Sequence, residues 1–233
     1  MSEWWTYTLK DFLLFSPRTY ARLFELYNAA IWPAQLAALA LGVAIVVLWR
    51  RGGAASGRLI AAILAACWLW IAIAFHALRY ATINTAGLHF AWAFGVEAVP
   101  LLGLAVSPGR PPFQRPANLA GRAGFWMFLF ALAVEPLAAP LLGRGWKSVE
   151  LFGVAPDPTA VATLGILLAA RIRHRWLWML LPALWCATTG VFLLAMKAPD
   201  FWIPPLAAVL AVVLVIGQKR SARRERDPSP RRA

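Results

Sequence analysis

Apolar residues run along this chain in blocks, broken by short turns where arginine, proline and glycine gather. A helix needs about 20 mostly apolar residues to cross a ~30 Å hydrocarbon core, since an unpaired backbone amide in lipid costs several kcal/mol. By that test residues 30–49, 59–78, 88–106, 123–142, 176–196 and 202–217 each read as a span. A seventh segment, 157–171, has a shorter apolar centre from Ala160 to Ala170, with Pro156 and Pro158 before it and Arg171 after. Ahead of the first span, Ser16-Pro17 reads as an N-cap followed by an N1 proline, and Tyr20, Leu23, Phe24 and Tyr27 recur at helical spacing. Residues 17–28 are therefore expected to form an amphipathic helix, lying at the interface or packed on the bundle. The predicted fold class is all-α, a polytopic transmembrane helical bundle. Its parts are an N-terminal segment 1–29, a helical domain 30–217 and a basic, disordered tail 218–233.

Charge settles how many times the chain crosses. Basic residues beside spans stay on the cytoplasmic side. With seven spans, sixteen Arg and Lys fall on the side holding Arg50, Arg58, Arg122, Arg175 and the tail, and seven on the other. Dropping 157–171 would put the basic tail on the lightly charged side, so seven spans are predicted, with the N-terminus outside and the C-terminus cytoplasmic. Glu3, Asp11, Glu25, Glu150, Asp157 and Asp200 all fall on the outer side. The first 29 residues show no signal-peptide pattern of basic start, apolar run and small-residue cleavage site.

Composition agrees with a membrane location: 61% of residues are apolar and 14% charged, too greasy for a soluble domain of 233 residues. The net charge of +13 is spread over span-flanking turns and the tail, so nucleic acid is not expected as a partner. The expected partners are the lipid bilayer, with anionic lipid at the basic tail, and a small solute or proton. Cys67 and Cys186 each lie in an apolar run and read as buried free thiols. Of the tryptophans, Trp32, Trp49, Trp126, Trp176, Trp178 and Trp202 sit at span ends, where indoles favour the headgroup level, while Trp68, Trp70, Trp92 and Trp185 lie deeper and read as helix packing.

Two acids, Glu97 and Glu135, lie well inside spans, where a central carboxylate costs on the order of 2.5 to 3.5 kcal/mol. Each has prolines close by: Pro100 after Glu97, and Pro136 and Pro140 after Glu135. A mid-helix proline frees a carbonyl and opens room for a polar pocket. At the outer end of the second span His76, Arg79 and Tyr80 follow i, i+3, i+4 spacing, with Asn84 and His89 next. His89 and Glu97 are eight residues apart, about 12 Å along a helix and roughly on the same side. The candidate binding residues are thus Glu97, Glu135, His76, His89, Arg79 and Asn84, lining an outward-facing vestibule. The competing structural reading has Arg79 snorkelling to the interface and the acids and histidines bonding between helices.

No P-loop, Rossmann glycine pattern, zincin motif or nucleophile elbow occurs. No catalytic residue, metal site or cofactor is assigned. The third histidine, His174, lies across the membrane from the other two.

The segments Leu26-Tyr27-Asn28-Ala29-Ala30-Ile31-Trp32-Pro33, Ala74-Phe75-His76 with Ile83-Asn84, and Phe152-Gly153-Val154-Ala155-Pro156 with Thr163-Leu164-Gly165 resemble an uncharacterised bacterial family of polytopic membrane proteins. This chain has Thr85 where proline often follows the asparagine. The resemblance implies multi-pass residence in the bacterial cytoplasmic (inner) membrane and transfers no activity or catalytic residue. Three readings follow: a small-solute or ion permease with a protonatable site, a structural or sensory membrane partner, and an intramembrane enzyme using His76 or His89 with a carboxylate.

Overall fold

The computed structural model describes residues 15–108, 113, 118–172 and 174–226. Lys10, Arg110, Arg115, Arg173 and the tail beyond 226, which entered the charge reading, lie outside the described residues. The helices are α1 (Pro17–Ile31), α2 (Ala34–Arg51), α3 (Ala54–Thr82), α4 (Gly87–Val106), α5 (Leu119–Leu141), α6 (Pro156–Leu168), α7 (Arg175–Ala195) and α8 (Ile203–Arg226). Five of them, α2, α3, α4, α5 and α7, are long and apolar enough to cross a membrane, and Ile203–Gln218 of α8 is shorter but apolar.

The amphipathic helix forms as its sequence dictates. The Ser16 side chain accepts from the Thr19 amide at 3.1 Å, with Pro17 opening the helix. Of the two placements open to α1, the structure has it packed on the bundle: Tyr20, Leu23, Phe24 and Tyr27 are buried, and Phe24 and Tyr27 lie against Phe75.

The ambiguous segment is the centre of the molecule. Every residue of α6 is buried, and the helix packs at once against α3, α5, α7 and α8. At ~20 Å it is shorter than a hydrocarbon core. Close approach to α5 depends on two glycines: a methyl on Gly165 would stand 2.5 Å from the Gly124 carbonyl oxygen, and one on Gly124 would collide with the Gly165 carbonyl. Such small-residue crossings are how helices associate where no hydrophobic drive separates side chain from lipid.

The connecting turns gather into two groups at opposite ends of α6. At one end, Tyr27 donates to the Val154 carbonyl (2.8 Å), Asn28 to the Lys147 and Val149 carbonyls (3.0 and 2.8 Å), and Arg144 pairs with Asp200. At the other, Phe113 bridges Ala170, and Arg175 donates to the Leu168 carbonyl (3.1 Å) and to Gln218. That second end carries Arg50, Arg51, Arg58, Arg122 and Arg171.

Three expectations need correcting. The α8 helix continues to Arg226, so the tail read as disordered from 218 begins helical. Trp49, expected at the headgroup level, is buried against Phe125 and Phe128, whereas Trp92, expected to pack, is exposed. Hydropathy gives the depth of a residue along a span but not the direction it faces.

Candidate functional site

Glu135 stands where α5 loses regular geometry. The helix is regular from Leu119 to Leu129, widens into π-type turns over Phe130–Val134 and tightens to 3-10 turns at Glu135–Leu137. Pro136 has no amide to donate, and π-type insertions concentrate at functional sites. Beyond α5, Gly143 and Gly145 take φ values of +81° and +80°, folding the turn so that Arg144 points back into the bundle. Pro156 and Pro158 bracket Asp157 in the first turn of α6, where a carboxylate is favoured by the helix dipole.

Those local features bring four acids to one guanidinium. Glu135, Glu150, Asp157 and Asp200 are 9, 8, 4 and 6% exposed. Arg144 contacts Glu150 at 3.3 Å and makes a short ion pair with Asp200. Asp157 accepts from Trp185 Nε1 (2.7 Å) and Thr189 Oγ1 (3.2 Å). One carboxylate oxygen each of Glu135, Glu150 and Asp200, and Arg144 Nε, are buried without a hydrogen-bond partner among the described residues. All five residues line a cavity of about 20 Å³, room for about one water molecule.

A buried carboxyl with other acids beside it favours its protonated form, because burial and mutual repulsion both oppose its charge. At Glu150, in the connecting turn, burial first and Asp157 next push the carboxyl up to about 8, against the opposing pull of Arg144. A carboxyl raised in the folded state binds its proton more tightly there than in the unfolded chain. Its contribution to stability is therefore full below about pH 4.5 and lost as pH rises through about 8. The apparent thermal midpoint of the purified protein is expected to fall by several degrees between pH 5 and pH 9, and Glu150→Gln should flatten that slope. A midpoint that rises with pH would contradict this assignment.

His76 lies in a second compartment. Its ring is fully buried among Phe94 (4.4 Å between centroids), Trp185 (4.9 Å), Phe75, Tyr80 and Phe90, and neither ring nitrogen has a hydrogen-bond partner among the described residues. Trp185 joins the compartments: one indole packs on His76 and donates to Asp157.

The outward vestibule read from sequence is not what the structure builds. The π-type turn Ile71–Ala77 shifts the helical register, so His76 and Tyr80 are buried while Arg79 is exposed. His89 is exposed although Glu97 is buried; eight residues at 100° each leave the two about 80° apart around the helix. Asn84 is buried but committed to its own turn, donating to Tyr80 Oη (3.0 Å) and accepting from the Ala86 amide (2.9 Å). Glu97 keeps one buried oxygen without a partner among the described residues and does not line the acid cavity, so the two buried glutamates Glu97 and Glu135 sit in different places. Arg144, Glu150, Asp157 and Asp200 are not evident from sequence because charged residues in and beside turns read as solvated. The signal available was the Pro-Asp-Pro opening of an otherwise apolar helix.

An apolar bundle with outward-facing Leu36, Val43, Leu59, Val96, Val191 and Val209, and with Glu97, Glu135 and Asp157 buried inside it, has the build of a polytopic membrane protein. The chain belongs to a family of unknown function (DUF6064), which matches residues 18–226. No curated protein and no solved structure matches it.

Proposed function

We propose that this chain is a seven-crossing protein of the bacterial inner membrane, N-terminus outside and C-terminus cytoplasmic, acting as a small-solute or ion permease whose acid cluster takes up and releases a proton. The topology is supported by the separation of the turns into a basic and an acid-rich end with α6 running between them. A reporter fused after Arg226 should be active in the cytoplasm; activity only outside would overturn the orientation.

The observation that carries the transport reading is the excess of buried carboxylates over cations around a one-water cavity. Helices held together only by ion pairs would need matched charges. Here a proton makes up the difference, and the unpartnered oxygen of Glu150, in the connecting turn, is an acceptor for it. The test is a thermal-shift screen across pH, ions and small metabolites, since ligands that bind the native state raise its apparent stability. Glu135→Gln and Asp157→Asn, which keep shape and hydrogen-bonding capacity, should remove the pH-specific or ligand-specific shift, and the outward-facing His89→Ala should retain it. Uptake into proteoliposomes driven by a pH gradient should follow the same pattern. No shift under any condition would overturn the proposal in favour of a structural or sensory partner, a reading for which the Arg144 clamp across two connecting turns speaks.

A further inference from the structure

A groove of about 550 Å³ lies on the outside of the bundle, between α1, the start of α2 and the turn at 146–151. It is separate from the acid cluster and owes nothing to the transport reading. Trp32 and Trp146 stand at it, 65 and 73% exposed, in the manner of indoles at a headgroup boundary. Below them the exposed side chains of Leu36, Val43 and Val47 form a stripe along α2, about 16 Å long, the direction and chemistry of an acyl chain.

The polar end of the groove carries one uncompensated charge. Arg22 is paired with Glu25 at 2.7 Å, while Lys147 has no ion-pair partner among the described residues. The Lys147 backbone is fixed by Asn28 Nδ2, which donates to its carbonyl at 3.0 Å. Gln35, 7% exposed, also lines the groove; its Nε2 donates to the Asn28 carbonyl at 2.7 Å, which leaves Oε1 a buried acceptor with no donor. A buried polar atom without a partner costs free energy, and a ligand that brings a donor recovers it.

We infer that this groove is a binding site for a single anionic phospholipid with a hydroxylated headgroup, of the phosphatidylglycerol type. Its phosphodiester pairs with Lys147, a headgroup hydroxyl donates to Gln35 Oε1, and one acyl chain lies along Leu36, Val43 and Val47. Zwitterionic phosphatidylcholine offers no hydroxyl donor and no net charge to match Lys147.

The test uses the full chain in nanodiscs containing photoactivatable phosphatidylglycerol or the corresponding phosphatidylcholine, with crosslinks mapped by peptide mass spectrometry. The phosphatidylglycerol probe is expected to label the 26–47 and 146–151 segments at least threefold more than the phosphatidylcholine probe. Lys147→Gln, an exposed change that leaves the fold intact, should reduce that labelling at least threefold while labelling at the basic end of the bundle stays constant, which controls for folding and lipid content. Equal labelling by the two probes would mean only unselective lipid contact and would overturn the inference. So would labelling confined to the basic end, or labelling of the groove unchanged in Lys147→Gln.

Discussion

Arg144→Met should lower the stability of the purified protein by about 3 to 5 kcal/mol at pH 8, the loss expected when one partner of a buried charge pair is removed and the other is left behind. For a chain of this size that is on the order of 10 °C in apparent midpoint. Arg144 contacts both Glu150 and Asp200, and it lines the same cavity as Glu135 and Asp157. Without it the carboxyls have only protons to neutralise them. The deficit should therefore shrink as pH falls toward 5 and grow as pH rises, a steeper version of the wild-type slope. Measured midpoints at pH 5 and pH 8 decide the matter. An equal loss at both values would mean that the guanidinium matters for packing and not for charge.

Gly165→Ala is the second large effect, and it concerns architecture. The added methyl would stand 2.5 Å from the Gly124 carbonyl oxygen and 3.0 Å from the Phe128 amide nitrogen, both backbone atoms with no rotamer to give way. The α5 and α6 helices must then separate, and overpacking of this kind costs about 1 to 3 kcal/mol. Gly165→Leu should prevent a stable bundle from forming. Gly95→Ala is the matched control, since nothing lies within 4 Å of a methyl added there. The comparison is read as yield and thermal midpoint in detergent, and a Gly165→Ala midpoint equal to that of Gly95→Ala would refute the tight crossing.

The long apolar helices were legible because length and hydropathy are one-dimensional properties. The segment read as 88–106 is the helix Gly87–Val106, and that read as 123–142 lies within Leu119–Leu141 but for its last residue. Ser16-Pro17 announced α1 because capping is decided within one turn. The central position of α6 was not legible. A helix apolar on every side has no periodicity to say which neighbours surround it, and its shortness looked like a defect when it reflects burial within the bundle.

The site was legible only in part. Glu135 and His76 stood out because an ionisable group in an apolar run is conspicuous. Glu150 and Asp200 did not, since acids in connecting turns are usually hydrated, and only the glycine-flanked turn that folds Arg144 inward removes them from water. Arg79 and His89 face outward for two different reasons: the π-type turn Ile71–Ala77 changes the register ahead of Arg79, and eight residues of regular helix leave His89 about 80° from Glu97. The three segments that carried the family resemblance do converge in space: Tyr27 packs on Phe75 and donates to the Val154 carbonyl.

The most direct measurement is infrared difference spectroscopy of the carboxyl carbonyl stretch, on the protein in lipid nanodiscs titrated from pH 5 to pH 9. A protonated carboxyl band that persists at pH 7, disappears toward pH 9 and weakens in Glu150→Gln is the expected result. A wild-type spectrum with no protonated carboxyl at neutral pH would mean that all four acids are ionised beside Arg144, and the protonatable cluster would have to be abandoned.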